Sequence, residues 1–194
     1  MGESMITQPW QGGRAATGDA VGVAVLLPGA GYRVELPLLH WTAAVLAQQR
    51  WFVQAVRWDP DGVDRNSAPP FTARAAELAF EQAPPLERRL VVGKSLGTFA
   101  APWARALGIP GIWLTPLLVE PAVREALAAG GPPCLLVGAT GDSSWDGGAG
   151  AESGHRVCEL EGLNHSLDDP ADWRRSLEAV EQVCESVEAF LAAL

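Results

Sequence analysis

The sequence predicts an α/β fold, a three-layer sandwich built on a mostly parallel, doubly wound sheet of about six strands. Two observations lead to this class. Short continuous apolar runs, typical of strands that are buried on both faces, alternate with longer segments of helical spacing. Gly, Pro and Asp mark the boundaries between the two kinds of segment. Strands and helices that alternate in this way indicate βαβ units, in which neighbouring strands run parallel.

Length and composition fit a single domain over residues 1–194. Of the 194 residues, 48% are hydrophobic and 19% are charged, and no repeat or long linker divides the chain. The net charge of -9 argues against a nucleic-acid partner, which would require a basic patch. No apolar run is long enough to cross a bilayer, and the first residues, "MGESMITQPWQGG", lack the features of a signal peptide. We therefore expect a cytoplasmic protein without a membrane partner, and nothing in the sequence specifies an oligomeric state.

Six segments are predicted as strands because each is a short, mainly apolar run. The first, "VGVAVLLPG", closes on Pro-Gly, and the second, "WFVQAVRW", ends before an Asp-Pro pair. The expected strands are 21–29, 51–58, 89–93, 111–115, 133–139 and 155–160.

Helical spacing follows each of the first four strands, with Gly or Pro as the stop signal in most cases. The expected helices are 36–50, 71–83, 95–108 and 120–129. A last helix is predicted to begin at Pro170, where Asp168 or Asp169 can cap it. Its apolar residues, from Trp173 and Leu177 onwards, recur at intervals of three and four residues, so we expect the face that they form to pack on the sheet. The segments 59–70 and 140–154 are rich in turn residues and are predicted as loops.

The stretch "RLVVGKSLGTF" matches parts of two motifs that would give Ser95 different roles. A phosphate-binding P-loop needs a Gly five residues before Gly93, but Arg88 stands there, and a buried strand runs directly into Gly93. A nucleophile elbow needs Gly-x-Ser-x-Gly between a strand and a helix, and Gly93 and Gly97 flank Ser95 at the required spacing. The elbow interpretation therefore fits, and it makes Ser95 a candidate nucleophile.

A serine nucleophile needs a base and an acid that orients the base. His40 lies in a predicted helix and His155 begins a strand, whereas His165 lies on a loop between the last strand and the last helix. His165 is therefore the candidate base. Asp142 follows the strand 133–139 and is the candidate acid, with Asp146 on the same loop as the reserve choice.

Other residues near these loops have possible supporting roles. An oxyanion hole needs two N–H donors, and we expect Leu96 and Ala30 to supply them, with Gly31 as the alternative to Ala30. Three aromatic residues at loops or strand ends are candidates for the substrate-binding pocket, although such residues can equally belong to the edge of a core. They are Tyr32, Trp58 and Trp145.

Lys94 allows two interpretations. It could anchor an anionic substrate beside the nucleophile, or it could be a buried lysine that pairs with a carboxylate and stiffens the elbow. We favour the second, because its backbone position points it away from the open face of the nucleophile.

Together, "PGAG", "GKSLG", "GATGD" and "LNH" resemble the α/β-hydrolase fold superfamily, and in particular its small, dienelactone-hydrolase-like members. The resemblance covers roughly residues 20–194. It implies a triad of Ser95, Asp142 and His165, with Ala30 and Leu96 as oxyanion donors. It also implies a serine hydrolase that cleaves carboxylic esters or thioesters of small-molecule acyl substrates, without a cofactor or metal. The alternatives are a non-catalytic binding protein, or an acyltransferase or peptidase with the same triad.

Some features depart from this superfamily. Pro28 stands where many members have His, and Pro102 should kink or weaken the helix after the elbow. The first antiparallel strands of the full fold should be reduced or missing. Only residues 116–132 separate two strands at the usual lid position, so we expect no lid and an open site. The three cysteines are expected to be buried reduced thiols: Cys134, Cys158 and Cys184.

Overall fold

In the part of the chain that the structure describes, a seven-stranded sheet forms the middle layer. The structure, a computed structural model, describes residues 5–11 and 19–194. The strands are β1 (Met5–Pro9), β2 (Gly22–Leu27), β3 (Trp51–Trp58), β4 (Arg89–Lys94), β5 (Gly111–Leu114), β6 (Cys134–Ala139) and β7 (Arg156–Leu160). They lie in the order β1-β3-β2-β4-β5-β6-β7, in which β1 is antiparallel to β3 and all other neighbours are parallel.

Helices cover both faces of the sheet and create a core on each. They are α1 (Pro37–Gln48), α2 (Ala68–Gln82), α3 (Ala101–Ala106), α4 (Pro121–Ala126), α5 (Gly147–Glu152) and α6 (Trp173–Leu191). Helices α1 and α6 pack on one face, and α2, α3 and α4 pack on the other. Side chains alternate between the cores along β4, because Leu90 and Val92 face the first core and Val91 the second. All six residues of β2 are buried, as expected for a central parallel strand.

The direction of winding reverses between β2 and β4. The chain leaves β2 for β3 on one side and then returns past β2 to form β4 on the other. Loops that leave neighbouring strands in opposite directions open a crevice at their carboxyl ends, which is the usual ligand site of such sheets. The loop after β2 and the elbow after β4 therefore border one crevice.

The predicted fold class and all six parallel strands are confirmed, and the sheet contains a further strand, β1, that was not predicted. Strand β1 is a short antiparallel strand at the edge of the sheet, in the region where the antiparallel strands were expected to be reduced or missing. It pairs Met5 with Trp58 and Pro9 with Gln54. The Nε2 amide of Gln54 also donates a 2.6 Å hydrogen bond to the hydroxyl of Thr7.

The segment after the elbow differs from the single helix predicted over 95–108. It begins as a 3-10 helix over Ser95–Ala100 and continues as α3. Pro102 lies in the first turn of α3, a position at which helices tolerate proline. The expected kink is thus replaced by a change of helix type ahead of the proline.

Two boundaries near the C-terminal half also differ from prediction. The loop predicted over 140–154 contains α5, whose N-cap is the carboxylate of Asp146. Helix α6 begins at Trp173 and is capped by Asp172, whose carboxylate accepts two backbone N–H groups. Trp173 and Leu177, predicted to pack on the sheet, are 62% and 60% exposed, because the buried face of α6 begins at Ala179.

Much of the N-terminal stretch on which the signal-peptide prediction rests lies outside the described residues. No helix within residues 5–11 and 19–194 combines the length and apolarity that crossing a bilayer requires. The three cysteines are unpaired; Cys134 is buried, whereas Cys158 and Cys184 are half-buried. Burial raises the pKa of each thiol.

Candidate active site

Ser95 stands at a sharp turn between β4 and the 3-10 helix. Its φ of 53° lies in the left-handed region, which a residue other than glycine adopts only when the surrounding structure imposes it. The two flanking glycines make the turn possible. A Cβ at Gly93 would lie 2.7 Å from the carbonyl oxygen of Gly97, and a Cβ at Gly97 would overlap the backbone of Leu27. Strand and helix therefore approach at a distance that only glycine permits, as the elbow interpretation requires.

His165 brings its ring between Ser95 and Asp142. Its Nε2 lies 2.8 Å from the Oγ of Ser95, and its Nδ1 lies 2.6 Å from Oδ2 of Asp142. The side chain of His165 is 36% exposed, whereas that of Asp142 is only 1% exposed. Three side chains from three separate segments thus form one continuous hydrogen-bonded chain that ends at a half-exposed serine.

Asp142 is held in place by the turn that follows β6. Its Oδ1 accepts the backbone N–H of Ser144 at 2.8 Å, which leaves Oδ2 for the imidazole of His165. Asp146, the reserve choice for the acid, is occupied elsewhere. It caps α5 through the N–H of Ala149 and pairs with the guanidinium of Arg124 at 2.7 Å. The geometry therefore favours Asp142 over Asp146 as the partner of the histidine.

The loop that carries His165 is ordered by its own neighbours. The side-chain oxygen of Asn164 accepts the N–H groups of Ser166 and Asp168, at 2.8 and 3.1 Å. Leu167 adopts a φ of 59° within this compact turn. Asn164 was not among the predicted site residues, although an Asn at the start of a turn is a recognisable signal for such a motif.

The turn after β2 lies directly beside the nucleophile. A Cβ built at Gly29 would be 3.4 Å from the Cβ of Ser95, so the backbone of this turn borders the serine. The turn closes through a 2.9 Å bond from the N–H of Gly29 to the carbonyl of Tyr32. Ala30 is exposed, and within residues 5–11 and 19–194 its N–H has no acceptor.

Leu96 is the second residue of the 3-10 helix. The N–H groups of a first helical turn have no partner within the helix, so that of Leu96 is free to donate elsewhere. Ala30 and Leu96 thus follow two neighbouring strands, β2 and β4, and their role as oxyanion donors stays a prediction.

Two of the three aromatic candidates lie beside this crevice. Trp58 is half-buried, and its indole N–H reaches the carbonyl of Gly29 at 3.4 Å. Tyr32 is also half-buried, and its hydroxyl accepts the N–H of Leu38 at 3.0 Å. Burial raises the pKa of this phenol to about 12. Contact of either ring with a substrate stays a prediction.

Trp145, the third aromatic candidate, is a core residue. It is buried in the core on the α2 side of the sheet, and its ring fills the space above Gly138, where a Cβ would collide with it. Its indole N–H donates to Glu159 at 2.6 Å. The loop position suggested exposure, but the glycine opposite creates a slot for the ring, and a contact of Trp145 with substrate stays a prediction.

Lys94 is buried next to the nucleophile, with 2% of its surface exposed. Its ammonium donates to the backbone carbonyl of His165 at 3.1 Å and lies 4.7 Å from the centre of the Tyr32 ring. Desolvation lowers the pKa of Lys94 to about 8, and the charges of Asp142 and Asp168 oppose this shift. In the described part of the chain no carboxylate lies within 4.0 Å of this ammonium, so the expected carboxylate partner is replaced by a main-chain carbonyl.

No protein-family model matches the chain, and no curated protein matches it. Solved structures do match. Est1E from Butyrivibrio proteoclasticus, determined with ferulic acid bound, is 12% identical, with a TM-score of 0.74 over 98% of this chain and 95% of its own. XC6422 from Xanthomonas campestris, described as a serine hydrolase without a lid, is 15% identical, with a TM-score of 0.64 over 95% of this chain and 88% of its own.

A hyperthermophilic esterase from the archaeon Pyrobaculum calidifontis is also similar. It is 20% identical, with a TM-score of 0.63 over 99% of this chain and 86% of its own. At such identities the likeness establishes the fold. Between β5 and β6, the place where we expected no lid, the described chain holds only the short helix α4. The protein therefore has the α/β-hydrolase fold, in the small form without a lid.

Proposed function

We propose that the protein is a serine hydrolase that cleaves carboxylic esters or thioesters through an acyl-enzyme on Ser95. The observation that carries this proposal is the hydrogen-bonded chain from Asp142 through His165 to Ser95, with contacts of 2.6 and 2.8 Å, on a serine with a φ of 53°. A serine hydroxyl becomes a nucleophile when an adjacent base takes its proton and an acid orients that base. The esterases among the structural neighbours support the same class of reaction.

Acylation begins when the substrate carbonyl lies against Ser95. The Oγ attacks the carbonyl carbon while Nε2 of His165 takes the hydroxyl proton, and Asp142 stabilises the imidazolium through the Nδ1–H. The negative charge that develops on the carbonyl oxygen is met by the N–H groups of Ala30 and Leu96. His165 then gives its proton to the leaving alcohol or thiol, and the acyl group remains on Ser95.

Deacylation repeats these steps with water. His165 takes a proton from the water as it attacks the acyl carbon, and it returns that proton to Oγ when the acid departs. Ser95 is half-buried, and Ala30 and Gly31 in the adjoining turn are exposed. Such an open crevice suits small or accessible acyl groups. The ferulic acid bound to Est1E makes an aromatic acyl group a reasonable member of the test panel.

The direct test is intact mass after incubation with a fluorophosphonate, which phosphonylates an activated serine. We expect one adduct on the native protein, none on Ser95→Ala, and one adduct on the control Ser186→Ala. The control serine lies on α6 and bonds the carbonyl of Gln182, away from the crevice. Folded native protein without an adduct would favour the non-catalytic binding protein instead.

A panel of short acyl esters and thioesters, with a feruloyl ester, would then define the acyl preference. Added alcohol or amine nucleophiles distinguish hydrolysis from acyl transfer, because a transferase forms the new ester or amide in preference to the free acid. A peptide panel tests the peptidase alternative in the same way. The cytoplasmic location, the small-molecule partner and the absence of nucleic-acid and membrane partners stay predictions.

A further inference from the structure

Lys94 occupies a position from which it cannot meet a substrate. It is the last residue of β4 and shares the face of Leu90 and Val92, which points into the core beneath α1 and α6. Its stem passes Gly29, where an added Cβ would lie 3.4 Å from the lysine Cδ. With only 2% of its surface exposed, Lys94 is closed off from solvent, so it is not an anchor for an anionic ligand.

The ammonium instead closes a ring of contacts around the reacting atoms. Lys94 is covalently joined to Ser95, its Nζ binds the main-chain carbonyl of His165, and the His165 ring returns to the Oγ of Ser95. The hydrogen bonds of Asn164 shape the His165 loop internally, but they do not connect it to β4. The bond from Lys94 makes that connection, at the residue whose ring must stay aligned.

We propose that Lys94 is a positioning residue, whose ammonium holds the backbone of His165 at the distance from β4 that keeps the imidazole on the Ser95 hydroxyl. This role rests on the proposed function. The Tyr32 ring, 4.7 Å from the ammonium, gives the charge a second favourable contact in the absence of a close carboxylate among the described residues.

Fold stability alone does not account for a lysine at this position. A buried cation without a carboxylate partner is costly, and an apolar side chain of similar length is often neutral or stabilising in its place. The two roles can therefore be distinguished by replacing Lys94. If the lysine is only structural, its replacement changes the stability against unfolding; if it positions His165, its replacement changes the turnover.

The test compares the native protein with Lys94→Met and with a matched control, Arg105→Met. Arg105 is a partly buried cation that, like Lys94, donates to main-chain carbonyls. Its acceptors are Ala126 and Ala128, at 3.0 and 2.8 Å, at the end of α4 and just after it, where no catalytic residue is proposed. Lys94→Gln is measured in parallel because its shorter side chain cannot reach His165. The readouts are the rate of fluorophosphonate labelling, kcat and KM for p-nitrophenyl acetate, and the Tm.

We expect the labelling rate and kcat of Lys94→Met and Lys94→Gln to fall roughly 10- to 100-fold, because small displacements of a catalytic group have effects of this size. KM should stay within about two-fold of native, and the Tm of Lys94→Met should be unchanged or higher. Arg105→Met should show the opposite pattern, a lower Tm with native kcat.

A labelled native protein whose folded Lys94 variants react at the native rate would overturn the positioning role alone. A loss of kcat that appears only in parallel with a lower Tm in all three variants would also overturn it, because it would indicate general loosening. A folded native protein that takes up no label would overturn the proposed function itself.

Discussion

The close approach between the elbow and β2 leads to a quantitative prediction for Gly97→Ala. The added Cβ would overlap the carbonyl oxygen of Leu27 and lie 2.9 Å from both its carbonyl carbon and its Cβ. Because two of these atoms belong to the backbone of a central strand, they cannot move aside cheaply, and overpacking of this kind costs about 3 kcal/mol. Replacing Gly by Ala also lowers the conformational entropy of the unfolded chain, which stabilises the folded protein by about 1 kcal/mol. The free energy of unfolding should therefore fall by about 2 kcal/mol, and the Tm by about 4–8 °C.

Chemical denaturation and thermal melts measure this change. The matched control is Gly31→Ala, where an added Cβ meets nothing within 4 Å, and its stability should stay within about 0.5 kcal/mol of native. If Gly97→Ala were as stable as the control, the strand and the helix would not approach as described, and the argument that glycine is required at the elbow would be refuted.

Three further predictions concern the site and its surroundings. Asp142→Asn removes the charge that orients His165, so the rate of fluorophosphonate labelling should fall on the order of 10³- to 10⁴-fold; a fall of less than about ten-fold would argue against Asp142 as the acid. The pKa of Lys94 is lowered from 10.5 to about 8, so between these pH values the folded protein binds fewer protons than the unfolded chain. The free energy of unfolding of the native protein should therefore increase as the pH rises from 8 to 10.5. The difference in free energy of unfolding between Lys94→Met and the native protein, measured by denaturant titration, should therefore shift by about 3 kcal/mol in favour of the native protein from pH 8 to pH 10.5. A difference that stays constant over this range would contradict a buried, titrating lysine. Trp145→Phe leaves Glu159 without its indole donor, so the free energy of unfolding should fall by about 1–2 kcal/mol while KM for a short ester stays unchanged. A raised KM at native stability would instead place Trp145 at the substrate pocket.

The parallel strands and the elbow could be predicted from sequence because their residues leave few alternatives. A strand such as β2, buried on both faces, must be apolar throughout, and its run of Val, Ala and Leu is visible without a structure. The elbow is local, since Gly93, Ser95 and Gly97 carry its geometry within five residues. The juxtaposition of His165 with Ser95 follows from topology, because carboxyl ends of parallel strands meet at one edge of the sheet.

Features that depend on distant partners were missed. Strand β1 is short and partly exposed, and only its pairing with β3 makes it a strand. Helix α5 holds three glycines, which lower its intrinsic helix propensity, and it is stabilised by the Asp146 cap. The partner of Lys94 is a main-chain carbonyl, which every residue possesses and no sequence pattern marks. Trp145 entered the core because Gly138 leaves room for it.

Strand β1 has a consequence for solubility. An unpaired edge of a sheet is a template on which a second chain can add. Without β1, strand β3 would form such an edge with its eight residues, six of which are buried in the folded protein. Five residues, Met5–Pro9, cover most of that edge with antiparallel hydrogen bonds and end in a proline that has no N–H to offer. The opposite edge, β7, is short and carries the charges of Arg156 and Glu159. Strand β1 therefore covers most of an edge on which a second chain could otherwise add.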